Sequence, residues 1–364
     1  MAAGGVRSRR SIVAGRGRRA TPPGPGDVVV VAGRGAVASA IATWFARPDG
    51  DGAPTWDVRV TEEVPVVAPQ DAVAGADVVV LVMHDADFAA YVRTPVVERR
   101  AGGVAHAERT IAASRSAGVR HVVVISSAMV YGAVPEQPVS TDDTPLISTE
   151  DGLVGDLLAV EAVLARGHRR RGPIVTVLRP AALVGPGIDT IITRHFEAPR
   201  LLTVRGAIRE WQFVHVEDLA SAAEHAVRSG LAGALTVGAS DVLSPTQVEK
   251  ASGLRRIELA AVTAFGTAER LHRVGVLPTP SSELAYTVYS WTVASDRLRA
   301  GGWEPTWSSA ACLDVLLQSG SGRLAVAGRR VGPRDAAALG AAGAAVAFLG
   351  TAAIWRQSRG RGRG

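Results

Sequence analysis

Val30-Val31-Ala32-Gly33-Arg34-Gly35-Ala36-Val37-Ala38 has the spacing Gly-x-Gly-x-x-Ala directly after a β-branched run. This spelling suits a phosphate. Gly33 permits a tight bend, Gly35 lets main chain approach a pyrophosphate, and small Ala38 lets a following helix pack closely on the strand. With Ala36 and Val37 the turn opens a helix, whose first N–H groups are unpaired and whose dipole favours an anion. Glu62 and Glu63 follow the next β-branched run. At that place a carboxylate holds a ribose 2′-hydroxyl and favours NAD over NADP, and Glu62 is the candidate; the same pair also reads as solvated acids. No histidine stands at a metal-ligand spacing. The single cysteine, Cys312, excludes a disulfide framework and any multi-cysteine zinc or iron–sulfur site, so no metal is expected.

These residues need elements to position them. Val28–Val31 reads as a buried strand, followed by the glycine turn and an Ala-rich helix to about Ala46. Asp57–Thr61, Asp77–Val82, His121–Ser126 and Ile174–Leu178 read as further strands. Val96–Ala117 has helical spacing, with Pro95 where a helix start tolerates it, and Leu153–Arg166 carries apolar residues at 153, 154, 157, 158 and 160. Short apolar runs separated by helices predict an α/β fold, a doubly wound parallel sheet of the Rossmann type. Past Pro180 the alternation loosens into mixed short elements to about Leu317.

Longer segments then carry a family resemblance. They are the glycine turn, Ala117–Gly132 with its Ser126-Ser127-Ala128-Met129-Val130-Tyr131-Gly132, Val177-Leu178-Arg179-Pro180-Ala181 with Gly185-Pro186-Gly187, and Phe213-Val214-His215-Val216-Glu217-Asp218-Leu219-Ala220. In order and spacing, from about residue 28 to 317, the chain resembles the NAD-dependent epimerase/dehydratase family, the extended short-chain dehydrogenase/reductases that include UDP-glucose 4-epimerase. The resemblance implies a Rossmann domain over 28–180, with a smaller mixed substrate-side part over 181–320 interleaved with it. It implies NAD or NADP as cofactor, held at Gly33, Gly35, Ala36, Val37, Ala38, Glu62, Ser126, Pro180 and Ala181, and a nucleotide sugar or related small molecule as substrate. A homodimer is compatible with it.

The resemblance further implies a catalytic Ser, matched by Ser127, and a Tyr-x-x-x-Lys pair in which the Tyr is the acid/base. Tyrosine needs that lysine because its ordinary pKa of about 10 lies far above neutral. Register puts Leu153 in the Tyr place and Leu157 in the Lys place, and Gly103 in the place of an Asn expected before the central helix. The chain has one lysine, Lys250, and its tyrosines Tyr91, Tyr131, Tyr286 and Tyr289 are followed four positions later by Pro95, Pro135, Ser290 and Val293. No Tyr-x-x-x-Lys exists. Asp156, Asp142, Asp143 and Glu150 are the substitutes to weigh, each of which also reads as a solvated or capping carboxylate. His215 reads as support for a strand-to-helix turn. The expected function is therefore a cofactor-binding family member without the usual acid/base pair, the alternative being a catalytically silent sensor or membrane-tethered scaffold.

Charge is unevenly placed. The 364-residue chain sums to +6, residues 1–27 to +5 and residues 323–364 to +7, which leaves −6 for residues 28–322. The basic character belongs to the ends, and no basic face with interleaved aromatics points to nucleic acid. Residues 1–27 read as a disordered arm, 321–335 as a linker and 356–364 as a basic tail. Between these last two, 336–355 is a run of 20 uncharged residues, ten of them Ala. As a helix it reaches about 30 Å, the thickness of a bilayer core. It is expected to anchor the chain in membrane lipid with the cofactor domain in the cytoplasm; an Ala-rich soluble or surface-lying helix is the other reading.

Overall fold

The computed structural model describes residues 26–48, 55–167, 172–320, 325–326 and 329–330. Most of the basic arm and tail, and the candidate membrane segment 336–355, lie outside them. Among the described residues no helix is long and apolar enough to cross a membrane.

The first half alternates strand and helix: β1 (Asp27–Ala32), α1 (Gly35–Phe45), β2 (Trp56–Thr61), β3 (Val78–Val82), α2 (Phe88–Arg93), α3 (Val96–Ser116), β4 (His121–Ile125), α4 (Gly152–Gly167) and β5 (Ile174–Pro180). The second half runs through β6 (Ala182–Val184), α5 (Ile191–Phe196), β7 (Leu201–Val204), β8 (Phe213–His215), α6 (Val216–Arg228) and β9 (Gly233–Val237). It closes with α7 (Pro245–Ser252), β10 (Arg256–Leu259), α8 (Ala261–Arg273), α9 (Ala285–Val288), α10 (Asp296–Ala300) and α11 (Ser309–Gly320).

Six strands form one parallel sheet in the order β2-β1-β3-β4-β5-β9. Val-rich β1, β3 and β4 read as continuous apolar runs because both sheet faces are covered. Val29 and Val31 pack with Val37 and Ile41 of α1 and Leu219 of α6. Val30 and Ala32 point the other way, to Ala107 and Ile111 of α3 and Val160 and Leu164 of α4. The period of two in β1 thus separates two cores. Trp44 and Trp56 both donate from Nε1 to Glu224 of α6, at 2.8 and 3.0 Å, which fixes α1 and β2 to that helix.

Three local expectations change. Asp27 is not part of the arm: it opens β1, and its carboxylate accepts from Arg120 at 2.6 Å. Gly103 does not precede the central helix but lies two turns inside α3. β9 and α6, from the region where alternation loosens, extend the main sheet and cover it. Beyond the main sheet, β6 pairs with β8 and β7 with β10, both parallel.

Register sets the site. Ala32 is level with Thr61 on one side and Leu81 on the other, and Val82 is level with Ile125. The loops after β1, β2, β3 and β4 therefore open on one edge of the sheet. After β2 the chain crosses over β1 to β3, so strand order reverses there. That is where open α/β sheets carry a ligand crevice.

Candidate functional site

A cleft of about 350 Å³ lies along that edge, lined by Gly33, Glu62, the segment Val82–Phe88, Ser127, the start of α4, and Ala181–Leu183. Close approach explains the glycines. A Cβ on Gly33 would lie 2.6 Å from Val82 Cβ, and Gly35, at φ +79°, would bring one to 3.3 Å from the Asp85 carbonyl oxygen. The Gly33 N–H donates to Thr61 O at 2.9 Å, tying the turn to the end of β2. Arg34 caps α1 without a side-chain hydrogen bond, and no acidic residue stands in the first turn. The N–H groups at this helix start keep their affinity for an anion, with no side-chain carboxylate of α1 competing.

Charge on the cleft wall is arranged around burial. Glu63 pairs with Arg109 and, at 3.9 Å, with Arg34, whereas Glu62 is exposed at the end of β2. Burial lowers the His84 imidazole to about 4, so it is neutral near pH 7. Burial raises the Asp85 carboxyl above its ordinary value, against the Asp87 N–H that donates to it at 3.2 Å.

The opposite wall holds a denser network. Asp156 of α4 accepts from Arg99 Nε and, at 3.0 Å, from Arg100 Nε, both on α3. The Arg99 guanidinium lies 4.1 Å over the Tyr91 ring, and the Tyr91 hydroxyl donates to Glu283 at 2.5 Å. Glu283 also accepts the Leu153 N–H at 2.9 Å and is only 3% exposed. Burial pushes its carboxyl above the usual glutamate range, while the bond from Tyr91 pulls the other way. Tyr91, Arg99, Asp156 and Glu283 all line the cleft, as do Leu153 and Leu157.

Residues 61–238 match the model of the NAD dependent epimerase/dehydratase family. This stretch, just under half of the chain, is similar to that family. Proteins of Mycobacterium tuberculosis and Mycobacterium bovis, both named as uncharacterised, are 31% identical over 210 residues, covering 56% of this chain. The chain spans 55% of the length of each of these curated relatives. Solved structures share its fold at lower identity. UDP-glucose 4-epimerase from Thermotoga maritima, with UDP-glucose, is 14% identical at TM-score 0.58, over 80% of this chain and 98% of that one. MoeE5 in complex with UDP-glucose and NAD is 20% identical at TM-score 0.54, over 81% and 98%. RMD from Pseudomonas aeruginosa complexed with NADPH is 17% identical at TM-score 0.55, over 81% and 98%.

The residues singled out from the sequence divide around the cleft. Gly33, Glu62, Ser127, Ala181, Leu153 and Leu157 meet at the cleft. Gly35 and half-buried Ala36 stand at the adjoining helix start. Val37 and Ala38 are buried beneath the turn and pack in the core, so their side chains do not reach the cleft. Ser126 also faces inward, its hydroxyl donating to Glu161 at 2.6 Å, and Pro180 is buried at the end of β5. Ser127 lines the cleft while its Oγ accepts the Met129 N–H at 3.3 Å.

The four candidate substitutes part company. Asp156 is a buried, doubly paired acid in the cleft rather than a solvated one. Asp142 is buried away from it, accepting from Thr236 and from the Arg297 N–H. Asp143 and Glu150 are exposed. His215 supports its turn, with Nδ1 accepting the Glu217 N–H at 3.3 Å and the ring stacked on Trp307. Sequence reasoning missed Arg99 and Glu283, and took Tyr91 only as a failed Tyr-x-x-x-Lys. Glu283 joins Leu153 across 130 positions, a pairing no local pattern announces.

Proposed function

We infer that the chain binds a nicotinamide dinucleotide across the β1–β3 crevice and, beside it, a nucleotide sugar or a related small molecule. The observation that carries this is the glycine turn itself. A Cβ on Gly33 would overlap Val82, Gly35 holds a positive φ close to the Asp85 carbonyl, the helix start lacks side-chain caps and acids, and the turn opens into the cleft at the point where strand order reverses. Gly33, Gly35 and Ala36 would seat the pyrophosphate, Glu62 the adenosine ribose, and Ala181 and Ser127 border the far end. The solved neighbours with UDP-glucose, NAD and NADPH support the ligand classes. A cytoplasmic location goes with this reading.

The dinucleotide supplies hydride chemistry when bound; the chain supplies binding, orientation and a route for protons. A carboxylate at Glu62 accepts a ribose 2′-hydroxyl and repels a 2′-phosphate, so NAD(H) is preferred over NADP(H). Leu153 and Leu157 inside the cleft favour a second reading, a catalytically silent member that binds the same cofactor.

Titration of the purified chain with NADH and NADPH, followed by tryptophan fluorescence or calorimetry, tests the inference. Saturable one-site binding with NADH tighter is expected. Glu62→Ser should move the NADH/NADPH preference toward NADPH by about tenfold, ~1.4 kcal/mol. Absence of binding by either dinucleotide would refute the reading.

A further inference from the structure

The cleft presents Leu153 and Leu157 where the resemblance implies an acid/base pair, and it contains another arrangement that can move a proton. Tyr91 comes from α2, Glu283 from the turn before α9, and they meet beside the start of α4 through the 2.5 Å bond from the Tyr91 hydroxyl to Glu283. Glu283 Oε1 is anchored from behind by the Leu153 N–H, and Leu153 occupies the place where the family resemblance expects a tyrosine. The half-buried Tyr91 lines the cleft, with the Arg99 guanidinium over its ring.

We propose that Tyr91 is the residue that exchanges a proton with a hydroxyl of the bound ligand, and that Glu283 takes the proton that Tyr91 gives up. This rests on the cofactor reading above for the ligand that fills the cleft. In the forward sense a secondary hydroxyl of the ligand loses its proton to Tyr91 Oη as the Tyr91 proton passes to Glu283 Oε1. Two O–H bonds break and two form, the ligand oxygen becomes anionic, the carboxylate becomes a neutral acid, and no electrons change hands. The reverse sequence protonates a ligand alkoxide.

The relay removes the need for a lysine. A lone tyrosine must ionise to act as a base, which burial and the adjacent Glu283 oppose by raising the Tyr91 phenol. In the relay the phenol gains a proton as it loses one, so its own ionisation never has to be supported. The base strength resides in Glu283, whose burial makes its carboxylate more basic than an exposed one. The groups facing the pair are Arg99 of α3, Asp156 of α4 and Tyr286 of α9. Arg100 neutralises Asp156 together with Arg99, and from α8 Glu269 is directed to Ser281 rather than to Glu283. Asp156 is shared by Arg99 and Arg100, so this cluster carries one net positive charge beside the relay.

A purely structural role is the competing account, because the same two bonds join α2, α4 and the segment before α9. Tyr91→Phe and Glu283→Gln separate the two, since each removes the proton path with almost no change of shape. The assay uses NAD+ with UDP-glucose, UDP-galactose and dTDP-glucose as probes, read as epimerised sugar or as NADH formed. Tyr91→Phe is expected to lower kcat by about 10²-fold or more, within the range for general acid–base groups, with the Kd for NADH changed less than twofold. Glu283→Gln should lower kcat similarly and abolish the limb of the kcat–pH profile that falls toward acid.

A second measurement does not depend on any cofactor. Infrared titration of the free protein should show a carboxyl band protonating above the ordinary glutamate range, absent in Glu283→Gln and shifted in Tyr91→Phe. The proposal is overturned if both variants keep kcat within twofold and an unchanged pH profile, or if no such band exists. It is also overturned if the chain binds NADH yet turns over none of the three probes. Failure to bind either dinucleotide refutes the cofactor reading instead, and the infrared titration still judges the pair.

Discussion

Asp85 stands beside the turn that the pyrophosphate would occupy: a Cβ on Gly35 would lie 3.7 Å from Asp85 Cβ. Burial raises this carboxyl above its ordinary value. For an acid raised in the folded state, the proton is held to higher pH, and the charged form is the unfavourable one. A dinucleotide adds negative charge nearby, so it binds the protonated form better. Affinity for NADH should therefore fall as pH rises through the raised Asp85 pKa. Asp85→Asn should bind about tenfold more tightly above that pKa and lose the pH dependence, since two like charges ~5 Å apart at an effective dielectric of about 20 repel by ~3 kcal/mol at most. Calorimetry of both proteins across the weakly acidic to neutral range checks this; parallel pH curves would exclude Asp85 from the site. Burial of Asp85 was not visible in the sequence, because it comes from the glycine turn after β1 approaching the loop after the neighbouring β3.

At the scale of elements, β4, α4 and β5 are locked under Ser127 by one buried ion pair. Arg179 of β5 donates to Glu161 of α4 from Nη2 at 2.6 Å and Nε at 3.3 Å, and from Nη1 to the Tyr131 hydroxyl at 2.9 Å. The two side chains are 5% and 4% exposed. Glu161→Ala leaves the guanidinium buried without its counter-charge, and chemical denaturation should show a loss of about 3–5 kcal/mol. A loss below about 1 kcal/mol would mean that water or another acid replaces Glu161. Strands and helices at this scale were legible where the pattern is local. The valine runs of β1, β3 and β4 and the apolar stripe of α4 announce themselves by composition and period. β9 did not, because Gly-Ala-Leu-Thr-Val is weakly β-forming and is a strand chiefly through its pairing with β5. The six-residue α2 is too short for a periodic signal, yet it carries Tyr91.

Over the whole molecule, a mildly acidic fold lies between two arginine-rich ends, and the cleft uses elements from β1 to the turn before α9. The half of that cleft proposed to hold the cofactor was readable because Gly33, Gly35 and Glu62 sit within one strand–helix–strand unit. The far wall was not, since it assembles Tyr91, Asp156 and Glu283 from segments far apart in the chain. The central claim is that this cleft binds a dinucleotide on the glycine turn, and Arg34→Asp tests it most directly. Arg34 is exposed, caps α1 without a side-chain bond, lies 3.9 Å from Glu63, and its charge also acts on Asp85 and His106. Aspartate is a better cap, worth roughly 0.5–1 kcal/mol, so the free variant should unfold no earlier than the wild type. It also sets a negative charge where the pyrophosphate would sit. NADH at about 100 times its Kd should stabilise the wild type by ~2.7 kcal/mol in thermal unfolding. This stabilisation should disappear in Arg34→Asp while the ligand-free Tm is kept. Equal stabilisation of both proteins by NADH would contradict it.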